Sequence, residues 1–366
     1  MAHLELKSIG KSFRNNQVLK DLSLAVETGE ILVIFGPSGT GKTVLLRLIA
    51  GVEQPSDGSL AIDGFDMSGI PPERRNIGMA FQNFALFPHL SAYENIASPL
   101  RARGERQAAI DDRVHGVARL LKIDHVLSHA PRELSNGQKQ RTALARALAA
   151  SPKLLLLDDP LRNVDAKLRF EMRLELPRLL RTAGSTVLYV TQDYKEAMAL
   201  GDRIAVLENG SFVQVGTPEE IYAQPATLAV ARLFGDPTIN VAEATISTSG
   251  LMASIGHEAI ELGSSYAGHA GKTVAVGIRP EAVRLSPGGR SIEAEVMAVT
   301  PLNERIVLLL KSTGDLEFLA SLPAAGINAP APASKVRAWF DPERVHLFDR
   351  ETGLRLRPGR AEEQAA

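Results

Sequence analysis

Residues 36–43 read Gly36-Pro37-Ser38-Gly39-Thr40-Gly41-Lys42-Thr43, the G-x-x-x-x-G-K-[ST] pattern of a phosphate-cradling loop. The three glycines let the backbone wrap tightly and aim N–H groups inward. A helix that follows presents its positive end to a β-phosphate. Lys42 supplies a mobile charge for the β- and γ-phosphates, and the Thr43 hydroxyl can ligate Mg²⁺. A second group with matching chemistry lies at the end of the run Leu154-Leu155-Leu156-Leu157-Asp158-Asp159. An apolar strand ending in Asp delivers a carboxylate to the ligand-binding edge of a parallel sheet, so Asp158 is expected to hold Mg²⁺ through its water shell.

The elements that must position these groups are legible around them. Ile31–Phe35 is a buried-strand run leading into the loop, and residues 44–50 continue as a helix. Thr186–Thr191 is a third apolar strand. Residues 204–207 and 212–215 flank Asn209-Gly210, a hairpin turn signal. Residues 93–150 carry helical periodicity, with Val114, Val117, Leu120 and Leu121 three or four apart. Residues 170–181 form another expected helix. After the breaker cluster Gly235-Asp236-Pro237 the chain turns to many short β runs punctuated by Gly, Pro and Ser, the pattern of a small β-barrel.

Composition limits the function classes. The chain has 366 residues, so two or three domains are expected. Its 41 basic against 42 acidic residues advertise no nucleic-acid surface, and no nucleic-acid partner is expected. With no cysteine there is no disulfide scaffold, thiolate metal site or cysteine nucleophile. The apolar runs fall far short of the ~20 residues a spanning helix needs, and the first residues lack the apolar core of a secretory signal.

Residues 134–141, LSNGQKQR, lie between the two phosphate elements. Here the sequence resembles the ATP-binding-cassette (ABC) ATPases, whose signature reads L-S-G-G-Q. The order agrees too: phosphate loop, Gln82 after an apolar stretch, a helical insertion, the signature, the Asp-ended strand, a following loop at 161–165, and a switch position at Gln192. The tail, with GIRPE at 277–281 and FDPERVHLFD at 340–349, resembles that of importers for sugars, polyols and related solutes, closest to the maltose and glycerol-phosphate type. The resemblance implies an α/β fold: a P-loop NTPase (RecA-like) cassette over residues 1–235 with a helical subdomain at about 85–150, then an OB-like β-barrel regulatory or dimerisation domain over 236–366. It implies ATP and Mg²⁺ as cofactors, with Thr43, Gln82 and Asp158 at the metal and Phe13 stacked on adenine. It gives Ser135, Gly137 and Gln138 to the γ-phosphate held by a second cassette; independently, Ser135 with Gln138 is a capping-box pattern at a helix start. It implies two integral-membrane permease subunits docked on the helical region opened by Pro88, His89, Tyr93 and Asn95, an extracytoplasmic solute-binding protein acting through them, and a peripheral location on the cytoplasmic face of the plasma membrane.

Four positions depart from the pattern. Asp159 replaces the glutamate that polarises the attacking water, Gln192 replaces the switch histidine, Asn136 the first signature glycine, and Arg162 a serine of the loop after the Asp-ended strand. Asp is one methylene shorter than Glu, about 1.5 Å, and a ~1 Å misplacement can cost ~10²-fold in rate. Gln cannot gain a proton near pH 7 as His can. The expectation is a site that binds ATP and hydrolyses it slowly, paired preferentially in a heterodimer with a second cassette that retains Glu and His. The alternative is a regulatory nucleotide-binding protein that does not hydrolyse ATP. Asn136 and Arg162 are assigned to the partner's site, with Asn136 expected to tolerate a left-handed backbone.

Overall fold

The computed structural model describes residues 2–81, 83–162, 164–285, 290–325 and 329–359. They divide into two compact units, up to Pro218 and from Glu219 onward.

The first unit is built on a six-stranded sheet in the order Ser211–Gly216, Arg203–Glu208, Ile31–Phe35, Thr186–Thr191, Leu154–Asp158, Ile77–Ala80. All neighbours are parallel except the Asn209-Gly210 hairpin. Every residue of Ile31–Phe35, Leu154–Asp158 and Thr186–Thr191 is buried, which is why these strands read as unbroken apolar runs rather than alternating ones. A second, antiparallel sheet runs Asn16–Glu27, Ala2–Phe13, Asp57–Ile62, Phe65–Asp66. Helix α1 (Lys42–Ala50) buries Leu45, Leu46, Leu48 and Ile49 in one core with Leu4, Leu6 and Leu24 of the antiparallel sheet and Leu32, Ile34, Leu156 and Leu188 of the parallel one. The phosphate loop therefore hangs between a central strand and a helix locked by both sheets.

The helical region consists of α2 (Ala92–Ala102), α3 (Gln107–Leu120) and α4 (Asn136–Ala149). Ser91 and Ser135 start α2 and α4 with capping boxes. Buried Asn95 ties the preceding loop down: its amide donates to the carbonyls of Phe87, Leu90 and Ser91, and its carbonyl accepts the Phe87 N–H at 2.7 Å. Helix α5 (Ala166–Ala183) is capped by Asp165, and α6 (Tyr194–Leu200) by Asp193.

The division falls at the start of a short helix, α7 (Pro218–Ala223); the second unit continues with α8 (Leu228–Leu233) and then two five-stranded antiparallel sheets. One sheet contributes Ala244, Val276 and Leu347, and the other Ile292, Leu308, Phe318 and Ala338, to a shared apolar core. The division falls ahead of the Gly235-Asp236-Pro237 cluster because Ala231 of α8 packs with Ile239 and Phe348 of the β domain. Arg279, only 4% exposed, holds both short helices: it donates to the Tyr222 carbonyl at 2.8 Å and to that of Phe234.

Candidate active site

Strand Ile31–Phe35 ends at the phosphate loop, and the neighbouring strands Thr186–Thr191 and Leu154–Asp158 end beside it, bringing Gln192 and the Asp158-Asp159 pair to one sheet edge. A cleft of about 290 Å³ there is lined by Ser38, Gly39, Gly41, Lys42, Thr43, Asp158, Asp159 and Gln192. Gly41 has φ 100°, and a Cβ there would sit 2.6 Å from Leu19, so the final turn into α1 requires glycine. At Gly36 a Cβ would lie 2.3 Å from the Leu207 carbonyl oxygen.

The Lys42 ammonium donates to the Gly36 carbonyl at 2.8 Å and the Pro37 carbonyl at 2.6 Å, while Thr40 Oγ1 donates to Pro37 at 3.0 Å. Lys42 thus folds onto its own loop, and burial lowers its pKa, opposed by the nearby Asp159 and Asp158 carboxylates. Thr43 Oγ1 donates to Asp158 Oδ1 at 3.2 Å. Asp158 is 3% exposed and burial raises its pKa; a carboxylate so placed gains by meeting a cation. Asp159 sits on a left-handed backbone with φ 46°, a conformation Asp tolerates better than most residues. Its pKa too is raised by burial, against the pull of Arg162. Ser38 Oγ donates to Gln192 Oε1 at 2.6 Å, which leaves the amide N–H₂ of Gln192 as its donor.

Other expected residues lie elsewhere. Phe13 is 41% exposed at the end of the long hairpin, under the Lys11 ammonium, and does not line the cleft. Val18 of the adjacent strand does line it, and no pattern marked it in advance. Ser135, Gly137 and Gln138 sit at the exposed start of α4, outside this cleft: Ser135 N–H donates to Gln138 Oε1 at 2.9 Å and the Gln138 N–H to Ser135 Oγ at 3.3 Å. Asn136 opens the helix and is not among the residues with positive φ, so the left-handed tolerance expected of it is not called upon. Gln82 lies outside the described residues. Arg162, assigned from sequence to a partner's site, lines its own chain's cleft, because the turn closed by Arg162 N–H to the Asp159 carbonyl folds it back. A second cleft of about 410 Å³ adjoins, lined by Asp159, Arg162, Arg169, Gln192, Asp193 and Lys195 among others.

Comparison with known proteins identifies the family. Residues 19–162 match the ABC transporter family model, 235–283 the MalK OB fold domain and 276–348 the TOBE domain. The sn-glycerol-3-phosphate import ATP-binding protein UgpC of Salmonella typhimurium is 41% identical over 361 residues, covering 97% of this chain and 100% of that one. The chain belongs to the ABC transporter family of import ATP-binding proteins. Other members include the alpha-glucoside transport ATP-binding protein AglK of Rhizobium meliloti, 40% identical with 95% and 98% covered. The trehalose/maltose import ATP-binding protein MalK of Thermococcus litoralis is 40% identical with 96% and 99% covered. Among solved structures, a dimeric ATP-binding cassette in a post-hydrolysis state with ADP and Pi shares 30% identity at TM-score 0.55, over 59% of this chain and 98% of that one. This importer ATPase is thus an ATP-driven motor subunit with a P-loop cassette and a C-terminal OB-fold domain. Among the described residues no helix is long and apolar enough to cross a membrane, and family membership implies permease partners and a second cassette.

Proposed function

We propose that this chain binds Mg²⁺–ATP in the Lys42–Asp158 cleft, hydrolyses it slowly, and drives uptake of a sugar, polyol or related solute from the cytoplasmic face of the membrane. The observation that carries the reading is the convergence of Ser38, Lys42, Thr43, Asp158, Asp159 and Gln192 on one cleft. Glycerol phosphate, alpha-glucosides, and trehalose or maltose in the relatives' names support the solute class.

No group of three His, Cys, Asp or Glu among the described residues could hold a metal on its own. Thr43 and buried Asp158 fit Mg²⁺ as it is usually held, by one or two protein oxygens with phosphate and water completing the shell. When bound, the ion neutralises charge on the transferring phosphoryl group. Lys42 leaves its loop carbonyls for the phosphates. Asp159 takes the place of the water-polarising base and Gln192 donates an amide N–H to the γ-phosphate. Gln82 completes the metal-side contacts by resemblance, and Phe13 offers an exposed π-face for adenine. Ser135, Gly137 and Gln138 stand at an exposed, capped helix start, a ready anion site for a second cassette's nucleotide. Phe87, held by Asn95 and 45% exposed, supports permease docking beside α2.

The short base and the non-titrating switch residue favour a heterodimer, in which a second cassette with Glu and His supplies the competent site. The dimeric solved cassettes lend the mixed pair no support; the chemistry of Asp159 and Gln192 is what favours it. Steady-state ATPase of the purified full chain tests the reading: turnover well below 1 s⁻¹ is expected, and turnover at or above ~1 s⁻¹, the low end of ordinary enzymes, refutes the slow site. Recovery of permease subunits without any second cassette would refute the heterodimer.

A further inference from the structure

Arg162 stands where the resemblance has a serine, and its surroundings are those of a ligand-handling residue rather than a surface charge. Its guanidinium lies 3.7 Å from the Asp159 carboxylate, beyond hydrogen-bond distance, and the arginine side chain is 46% exposed against 12% for the aspartate. It lines both the cleft holding Lys42 and Thr43 and the adjoining one. Its backbone, by contrast, is fixed. The Arg162 N–H donates to the Asp159 carbonyl at 3.2 Å, and the Arg169 guanidinium donates to the carbonyls of Arg162 at 3.2 Å and Val164 at 3.0 Å. Arg169 in turn faces Asp193 at 3.9 Å. A braced backbone thus carries a half-exposed side chain whose ion pair with Asp159 is a long one. Its charge is felt at Lys42, whose protonation it opposes.

Such a half-exposed, non-bonded ion pair is weak and readily exchanged. A terminal phosphate entering the same cleft offers more charge and a geometry that the planar guanidinium matches in bidentate fashion. We propose that Arg162 is a second phosphate cation of its own chain's site: it rests on Asp159 when no triphosphate is present and passes to the γ-phosphate when ATP binds. ADP has no γ-phosphate and leaves Arg162 on Asp159, so the residue sets a preference for ATP over ADP. The inference rests on the nucleotide reading of this cleft, and is independent of slow turnover and of a mixed dimer.

The test is isothermal titration of the full chain, in Mg²⁺, with AMP-PNP and separately with ADP. In Arg162→Ser, AMP-PNP affinity is expected to fall about tenfold or more, the scale of one charge-assisted hydrogen bond, while ADP affinity moves less than about twofold. Arg162→Lys keeps the charge without the fork and is expected to fall between, which preserves the test should the serine variant fold poorly. Equal weakening of both nucleotides, or no change in either, overturns the role of Arg162. Failure of the unsubstituted chain to bind either nucleotide overturns the site itself and this role with it.

Discussion

At the scale of single residues, the slow turnover proposed for this chain rests on one methylene and one imidazole. Asp159 is half-buried on a left-handed backbone, and its carboxylate is one methylene shorter in reach than the glutamate it replaces. Gln192 is held by Ser38 through its carbonyl oxygen and cannot switch charge. Asp159→Glu restores reach, and Gln192→His restores a group that protonates near pH 6.5. The double variant of the full chain is expected to raise steady-state turnover by about 10²-fold, the cost associated with a ~1 Å misplacement, with nucleotide affinity changing little because Lys42, Thr43 and Asp158 are untouched. A double variant that gains nothing in a rate assay would show that these two departures are not what limits hydrolysis.

At the scale of elements, α1 must be held rigidly for its N-terminal end to face phosphate. Its other end is closed by Gly51, φ 82°, and by Arg75, a guanidinium 6% exposed that donates to the carbonyls of Leu48 at 3.0 Å, Ile49 at 2.8 Å, Ile70 at 2.8 Å and Met67 at 2.9 Å. Arg75→Leu leaves the Ile49 and Ile70 carbonyls without this donor, while those of Leu48 and Met67 still accept the Gly51 and Ile70 N–H groups; denaturant unfolding should report a loss of about 3 kcal/mol, where a surface arginine would register within ~0.5 kcal/mol. Nothing in the sequence announced Arg75, because a cation that pairs with backbone carbonyls 5 to 27 residues away leaves no periodic trace. The phosphate loop and the three buried strands were legible for the opposite reason: their chemistry is local and contiguous. The 12-residue strands Ala2–Phe13 and Asn16–Glu27 were blurred by register shifts and by Ser8 and Asp21 at positive φ, which break the alternation a strand should show. That Arg162 lines its own chain's cleft was not legible, because a turn, not a spacing, brings it there.

At the scale of the whole molecule, each unit holds a buried group whose pKa is displaced far enough to matter between pH 4 and 7, and the two shift stability in opposite senses over overlapping pH windows. In the first unit Glu196 is 1% exposed; burial raises its pKa from 4.5 to about 7, although the Tyr189 and Thr191 hydroxyls donate to it. Unfolded, it loses its proton near pH 4.5 while the folded form keeps it to about 7, so the unit loses stability as pH rises through that interval. In the second unit His346 is 6% exposed with Nδ1 unpartnered, and burial, reinforced by Arg355 and Arg279, lowers its pKa from 6.5 to about 4. Its unfolded form takes up a proton below 6.5 while the folded form refuses it, so this unit loses stability as pH falls from 6.5 to 4. Each shift corresponds to about 3 kcal/mol at full extent. Calorimetry of the full chain between pH 7 and 5 is therefore expected to resolve two transitions moving apart or crossing, with the cassette gaining and the β domain losing on acidification. Glu196→Gln, whose amide oxygen can still accept from both hydroxyls, should flatten the first dependence and leave the second. His346→Gln should do the reverse. A Glu196→Gln chain whose cassette transition keeps its full pH slope would place the titration elsewhere.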